Sequence, residues 1–332
     1  MSPAGFSFGT SMLAFVLCAA LIAAMLKWRL HWAIDHPNER SLHADPTPRT
    51  GGVAVMAGVL AAAGAATLRF GDVPWPAFVL ALLLAGVSLA DDRGGLPVRL
   101  RLGAHLLAAG VFAAYLTASA APWWWMLLAV LGITAMTNFF NFMDGANGLA
   151  GGMAAAGFSC YAVAAAAAAP GVAAFCAAIA AAAAAFLLFN LRARIFMGDS
   201  GSVPLGFLAG ALGLAGWMRG LWPAWFPLLV FAPFVVDATL TLTRRILRGD
   251  RFWQAHREHY YQRLVRSGWS HARLASAEFA LMGLCGGGAL VARSGGTEVR
   301  TTVFATIALL FALICFTTDR RWRHFQARQV GN

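Results

Sequence analysis

The amino-acid sequence predicts an all-α integral membrane protein: one domain of about eleven transmembrane helices with a site at its cytoplasmic surface. Three observations carry this. Of 332 residues, 60% are hydrophobic and 12% charged, more apolar surface than a soluble fold of this length can hide. Apolar stretches of about 15–22 residues recur from end to end, each near the length of a bilayer-spanning helix. The basic residues gather on alternate loops.

In order, the stretches are 8–28, 52–69, 76–91, 103–120, 123–141, 149–169, 171–190, 203–218, 222–243, 273–292 and 301–318. Pro170-Gly171 divides the Ala-rich segment 154–185 into two helices. The first stretch is expected to be a retained span rather than a cleaved signal, because no basic residue precedes it and Lys27 and Arg29 follow it. That charge order places the N-terminus outside and the first loop in the cytoplasm. Alternation then makes 27–50, 91–102, 141–149, 191–202, 244–273 and 319–332 cytoplasmic. These segments hold 21 of the 25 Lys and Arg residues, leaving only Arg69, Arg219, Arg293 and Arg300 on the other side. The net charge of +11 is therefore an orientation signal toward the lipid bilayer, not a nucleic-acid footprint. Cys18, Cys160, Cys176, Cys285 and Cys315 all lie in apolar stretches without a CxxC pair and read as core residues. No internal repeat or Ser/Pro-rich linker divides residues 1–332, which leaves a single polytopic domain.

Twelve of the fourteen acidic residues fall on the cytoplasmic side or near it, Asp72 and Glu298 being the exceptions. A transporter, the alternative function, would place charge along a mid-membrane path. The observed pattern suits a surface where a soluble substrate meets a lipid. Asp91 and Asp92 end a span and, as neighbours on a helix, point about 100° apart; one suits a metal or nucleophile and the other a basic partner. Asn138, Asn141 and Asp144 recur every third residue, which keeps them near one helical face. Gly145 and Gly148 then break the helix and let backbone approach a ligand. Asp199 sits in "FMGDSGS", a glycine-rich turn leading into a helix. That setting suits phosphate and, with a carboxylate, Mg²⁺; an ordinary helix cap is the plainer reading. His256 and His259 stand at i, i+3, with Arg263 one turn on, in a loop of eight arginines. They suit a phosphate ligand better than zinc. Asp237 is expected to pair internally with Arg244 or Arg245.

Five ordered motifs, "HADPTPRTGG", "ADDRGGLPVRLRLG", "NFFNFMDGANGLAGG", "FMGDSGS" and "HREHYYQRL", together resemble the polyprenyl-phosphate N-acetylhexosamine-1-phosphate transferases (glycosyltransferase family 4) over essentially the whole chain. The last motif looks most like the O-antigen-initiating branch. One departure is Asn147, where many members carry a second Asp. The resemblance implies transfer of N-acetylhexosamine-1-phosphate from a UDP-sugar to undecaprenyl phosphate, releasing UMP, at the bacterial inner membrane. It implies Mg²⁺, with Mn²⁺ as a substitute, and is compatible with a homodimer. It implies Asp199 and Asp144 as metal ligands, with Asp91 and Asp92 also catalytic. Asn141 and Asn147 would line the nucleotide site, and Asn190 and Phe196 would flank the uracil. His256, His259 and Arg263 would hold diphosphate or sugar, and Arg99 and Arg101 the lipid phosphate.

Overall fold

The computed structural model describes residues 3–29, 33–35, 46–117, 122–251, 254 and 256–330. Residues 43–45, which open the first of the five motifs, lie outside the described residues. The chain is an all-α integral membrane protein. Its helices are α1 (Pro3–Lys27), α2 (Gly51–Thr67), α3 (Trp75–Gly94), α4 (Val98–Thr117), α5 (Trp123–Met143), α6 (Leu149–Ala165) and α7 (Pro170–Asn190). They continue with α8 (Asp199–Met218), α9 (Trp225–Val230), α10 (Ala232–Leu247), α11 (Tyr260–Arg266), α12 (His271–Ser294) and α13 (Thr297–Val330). Among the described residues, eight helices are long and apolar enough to cross a membrane, while α2 and α6 are shorter apolar helices.

Helices occupy most of the described residues of each expected stretch, with one difference. The segment 222–243 is two helices, parted at Phe231. Pro233 in the first turn of α10 has no N–H to continue a helix and disfavours helical backbone at the residue before it. Composition stays apolar across this break, so periodicity did not show it. Proline also opens α7, where a missing N–H costs nothing.

The buried heart is aromatic. Tyr161 of α6 is fully buried, donates its hydroxyl hydrogen to the Ala209 carbonyl at 3.0 Å and stacks on Trp222 at 4.6 Å. Phe140 of α5 meets Phe234 edge-on at 5.0 Å, which ties α5 to α10. Two short strands, β1 (Ile34–Asp35) and β2 (Thr47–Pro48), pair antiparallel. The chain around β2 then grips the turn before α8. Phe196 N–H donates to the Pro48 carbonyl (2.7 Å), Gly51 N–H to Phe196 (2.9 Å) and Gly52 N–H to Met197 (2.8 Å). The start of α8 is thereby fixed beside the ends of α3 and α5.

Candidate functional site

Asp91 and Asp92 finish α3, and both are buried. Asp91 Oδ2 pairs with Arg101 Nη1 at 2.9 Å, and its Oδ1 accepts the Leu96 N–H at 2.5 Å. The same Arg101 nitrogen reaches Asp199 Oδ2 at 3.3 Å. Asp92 Oδ1 pairs with Arg49 Nε at 3.3 Å, and its Oδ2 accepts the Ser200 N–H at 3.1 Å. The two carboxylates do face apart, yet each has a basic partner, where only one was expected to. Asp92 also supplies a cap for the N-terminus of α8, so Asp199 is left free of capping and turns to Arg101 and Asn141. Gly198, just before it, has φ +71°. A Cβ there would stand 2.3 Å from the Arg49 carbonyl oxygen, so glycine alone permits this approach.

The end of α5 meets the same place. Asn141 donates to Asp199 Oδ2 at 3.5 Å and accepts from Ser202 Oγ at 3.1 Å. Asn138 donates to its own helix at Thr134 (2.7 Å). Asp144 caps α5, with its N–H on the Asn141 carbonyl. Gly145 makes room for protein instead of ligand: a Cβ there would lie 2.1 Å from the Tyr261 hydroxyl oxygen. The Gly148 N–H donates to Asn190 Oδ1 at 2.7 Å, while Asn190 Nδ2 donates to the Ile195 carbonyl at 2.9 Å. Both ends of the buried Asn190 amide thus tie the α6 and α8 approaches together.

A cavity of about 1170 Å³ opens between α4, α5, α8, α10 and the loop before α11. Arg101, Asn141, Asp199, His256 and His259 are among its polar lining residues. Val98, Leu102, Ala135, Phe139 and Leu242 add apolar lining. Asp91 joins through Arg101, and Asp144 lies within electrostatic reach of Asp199 and Asp92. Arg99 is exposed, Asn147 is half-buried in its turn, and Asn190, Phe196 and Arg263 are used elsewhere in the fold; none of the five lines this cavity. Sequence reasoning missed His105, Gln254 and Gln262 in the wall. His105 stands four residues after Arg101 on the same helix, so helical spacing alone could have found it.

The histidine pair is held differently from the expectation. α11 starts at Tyr260, so His259 is its N-cap and His256 lies in non-helical chain. The rings still meet, 4.9 Å apart. Asp237 does not pair with Arg244 or Arg245. It takes His259 Nδ1 at 3.0 Å and the Tyr260 and Tyr261 N–H groups at 2.9 and 3.0 Å. Arg244 lies seven residues, about 10 Å, farther along α10 and binds Asp319 with two 2.8 Å bonds. Arg263 binds Asp319 as well, at 3.0 Å. Burial, then the neighbouring His259 and Arg245, pulls the His256 pKa down to about 4.

Among the described residues no three His, Cys, Asp or Glu side chains stand close enough to cage a metal ion. The donor chemistry nonetheless fits Mg²⁺ shared with a substrate, since Mg²⁺ commonly takes one or two carboxylates and completes its shell from phosphate and water. Burial, followed by the negative charge of Asp199 and Asp92, holds the Asp144 carboxyl well above the usual carboxylate range. A cation between Asp144 and Asp199 would relieve that repulsion.

A glycosyl transferase family 4 profile matches residues 75–216, the stretch holding Asp91, Asp92, Asn141, Asp144 and Asp199. The chain is 28% identical over 304 residues to a Bacillus subtilis protein named as a probable undecaprenyl-phosphate N-acetylglucosaminyl 1-phosphate transferase, covering 86% of this chain and 82% of the relative. It is 29% identical over 307 residues to the decaprenyl-phosphate N-acetylglucosaminephosphotransferase of Mycobacterium leprae (77% and 76% covered). It is 27% identical over 321 residues to an undecaprenyl-phosphate alpha-N-acetylglucosaminyl 1-phosphate transferase of Yersinia pestis (87% and 85%).

Proposed function

Because the chain belongs to glycosyl transferase family 4, whose members here are transferases to polyprenyl phosphate, we propose that it moves N-acetylhexosamine-1-phosphate from a UDP-sugar to undecaprenyl phosphate. The observation that carries this is the mixed polar and apolar lining of one cavity. One opening offers Arg101, Asp199, His256 and His259 to a charged, water-soluble donor, and Val98, Leu102, Ala135, Phe139 and Leu242 to an isoprenoid chain. An oxygen of the lipid phosphate attacks the sugar-side phosphorus of the diphosphate. The bond to the UMP oxygen breaks, and UMP leaves with that oxygen.

Two anions must approach for this to happen, so cationic groups have to offset their repulsion. Arg101 is placed to do so, and on receiving a phosphate it would loosen its hold on Asp91 and Asp199. Asp199 and Asp144 would hold Mg²⁺, which supplies charge neutralisation at the diphosphate when bound. Asp92, fixed by Arg49 and Ser200, aligns the start of α8 and with it Asp199. His256 and His259 face the donor.

N-acetylglucosamine is the first sugar to test, on the printed names of the relatives. The "HREHYYQRL" loop supports a place at the start of O-antigen or a similar cell-surface polysaccharide. The basic-residue split supports an inner-membrane protein with N-terminus out, C-terminus in and the cavity facing the cytoplasm. The decisive experiment mixes purified protein with UDP-N-acetylglucosamine, with and without undecaprenyl phosphate. UMP should appear only with the lipid present; release without lipid, or none with it across a panel of UDP-N-acetylhexosamines, overturns the proposal. A cysteine replacing the exposed Arg251 should resist an impermeant thiol reagent in intact cells, and ready labelling would reverse the orientation.

A further inference from the structure

Asp237 is absent from the site residues assigned above, and its surroundings give it a specific task. Its carboxylate accepts four hydrogen bonds within 3.1 Å. Oδ1 takes Thr241 Oγ1, His259 Nδ1 and the Tyr260 N–H, and Oδ2 takes the Tyr261 N–H. Backbone N–H groups can only donate, so Asp237 is held as an acceptor and the bridging proton belongs to His259 Nδ1. The second ring nitrogen, Nε2, is then the one left for the cavity that His259 lines. Rotation is blocked on several sides. His256 lies at 4.9 Å, Tyr261 is stacked at 6.0 Å, Phe142 of α5 is at 5.9 Å, and Gln262 Oε1 accepts the His259 backbone N–H at 3.2 Å.

We propose that Asp237 is the positioning residue for the donor site: it fixes His259 as the Nδ1–H tautomer and aims Nε2 into the cavity, at the sugar-nucleotide. No bond to carbon or phosphorus changes in this role. The charged and titratable groups facing the pair are Asp237 itself from α10, His256 with Arg245 behind it, Tyr260 and Tyr261 from α11, and Glu278 of α12, whose field reaches Asp237. Asp237 is the one among them bonded to the His259 ring. This inference deepens the proposed transferase reaction and rests on it for its kinetic test. The rival account is that Asp237 only caps α11.

Four proteins separate the two accounts: wild type, Asp237→Asn, His259→Gln and the double variant. Each substrate is varied in turn in one detergent–lipid mixture. A hydrogen bond to a charged group predicts a rise of roughly 10-fold or more in the UDP-sugar KM for each single variant, with the undecaprenyl-phosphate KM within about 2-fold. Because Asp237 acts through His259, the double variant should be no worse than His259→Gln alone. Additive losses, or a loss shared equally by both substrates, leave Asp237 a helix cap and overturn the proposal. A second readout is independent of turnover. In ¹⁵N-histidine-labelled protein, the signal lost in His259→Gln should show hydrogen on Nδ1 in the wild type; hydrogen on Nε2 of the neutral ring overturns the proposal even if turnover is normal. That measurement needs wild type and His259→Gln but not Asp237→Asn, so it stands if Asp237→Asn does not fold. It also still decides the dyad if the wild type releases no UMP, a result that defeats the transferase proposal alone.

Discussion

Arg101 lies between Asp91 and Asp199 with 34% of its side chain exposed, and Asp199 keeps 25%. On the facing wall Asp237 and His259 are 8% and 3% exposed. Both walls pair an acid with a base, but they are built for different events. An ion pair whose arginine is about a third exposed is partly screened by water and can exchange partners. Arg101 can therefore release one carboxylate when a phosphate arrives. A buried pair whose hydrogen bonds are all met holds one geometry, and removing either partner leaves a buried polar group unsatisfied. One wall is made to be rearranged by substrate; the other stays fixed and gives substrate a reference.

Substitutions on each wall can break or sharpen this contrast. The largest effect is expected at Asp199. Asp199→Asn keeps shape, removes charge and should cut turnover by roughly 10²-fold or more, the scale of losing a principal electrostatic contributor; near-normal turnover at saturating Mg²⁺ would return Asp199 to a structural role. Arg101→Ala should lower turnover by about 10-fold, with Arg101→Lys recovering part of it because a point charge satisfies a phosphate without the planar fork. Equal damage from both substitutions would mean that the fork, and so the fixed pairing, is what matters, and the contrast would fail. Arg263→Ala is expected to act on the fold, since Arg263 binds Asp319 and stacks over Tyr260 at 5.2 Å. Thermal unfolding should show a loss of about 1–3 kcal/mol, typical of a charged hydrogen bond, with the UDP-sugar KM little changed; a KM that rises while stability holds would place Arg263 in the donor site. The smallest effect concerns His256. The folded protein resists protonating it until about pH 4, whereas an unfolded chain takes the proton near pH 6.5. Above 6.5 both states are neutral. As pH falls from 6.5 toward 4 the unfolded state binds more protons, so stability should decline. His256→Asn should flatten the dependence of melting temperature on pH in that window, and an unchanged slope would put the decline elsewhere.

Much of this was legible because a bilayer imposes coarse rules. Lengths of apolar runs located the helices. A polar residue in such a run asks for a partner, which singled out Asn138, Asn141 and Asp144, and the glycine-rich turn opening a helix singled out Asp199. What escaped was partner choice across the chain. The family resemblance set Asn190 beside a nucleobase, and nothing in its local sequence told that its amide joins Gly148 to Ile195. Asp237 was matched to arginines on its own helix, although the N–H groups that satisfy it belong to a helix starting 23 residues later. Arg49 lay within a recognised motif without a role, and its carboxylate, Asp92, is 43 residues away. Local spacing reports which residues share a face, whereas these contacts depend on how separate helices meet.

The long final helix carries a practical lesson for anyone shortening this chain. Only 6% of the apolar window of α13 is buried in the protein, so by packing alone it looks dispensable. Its polar end is nonetheless clamped. Asp319 holds Arg244 and Arg263, Arg321 Nε donates to Ser267 Oγ at 2.8 Å, and Arg266 lies 4.8 Å over Trp322. A chain cut before Asp319 would leave two arginines without their counter-charge, one of them 6% exposed, directly behind the histidine loop. A cut after Trp322 would spare those anchors, and it marks the inner limit for trimming or for attaching a purification tag.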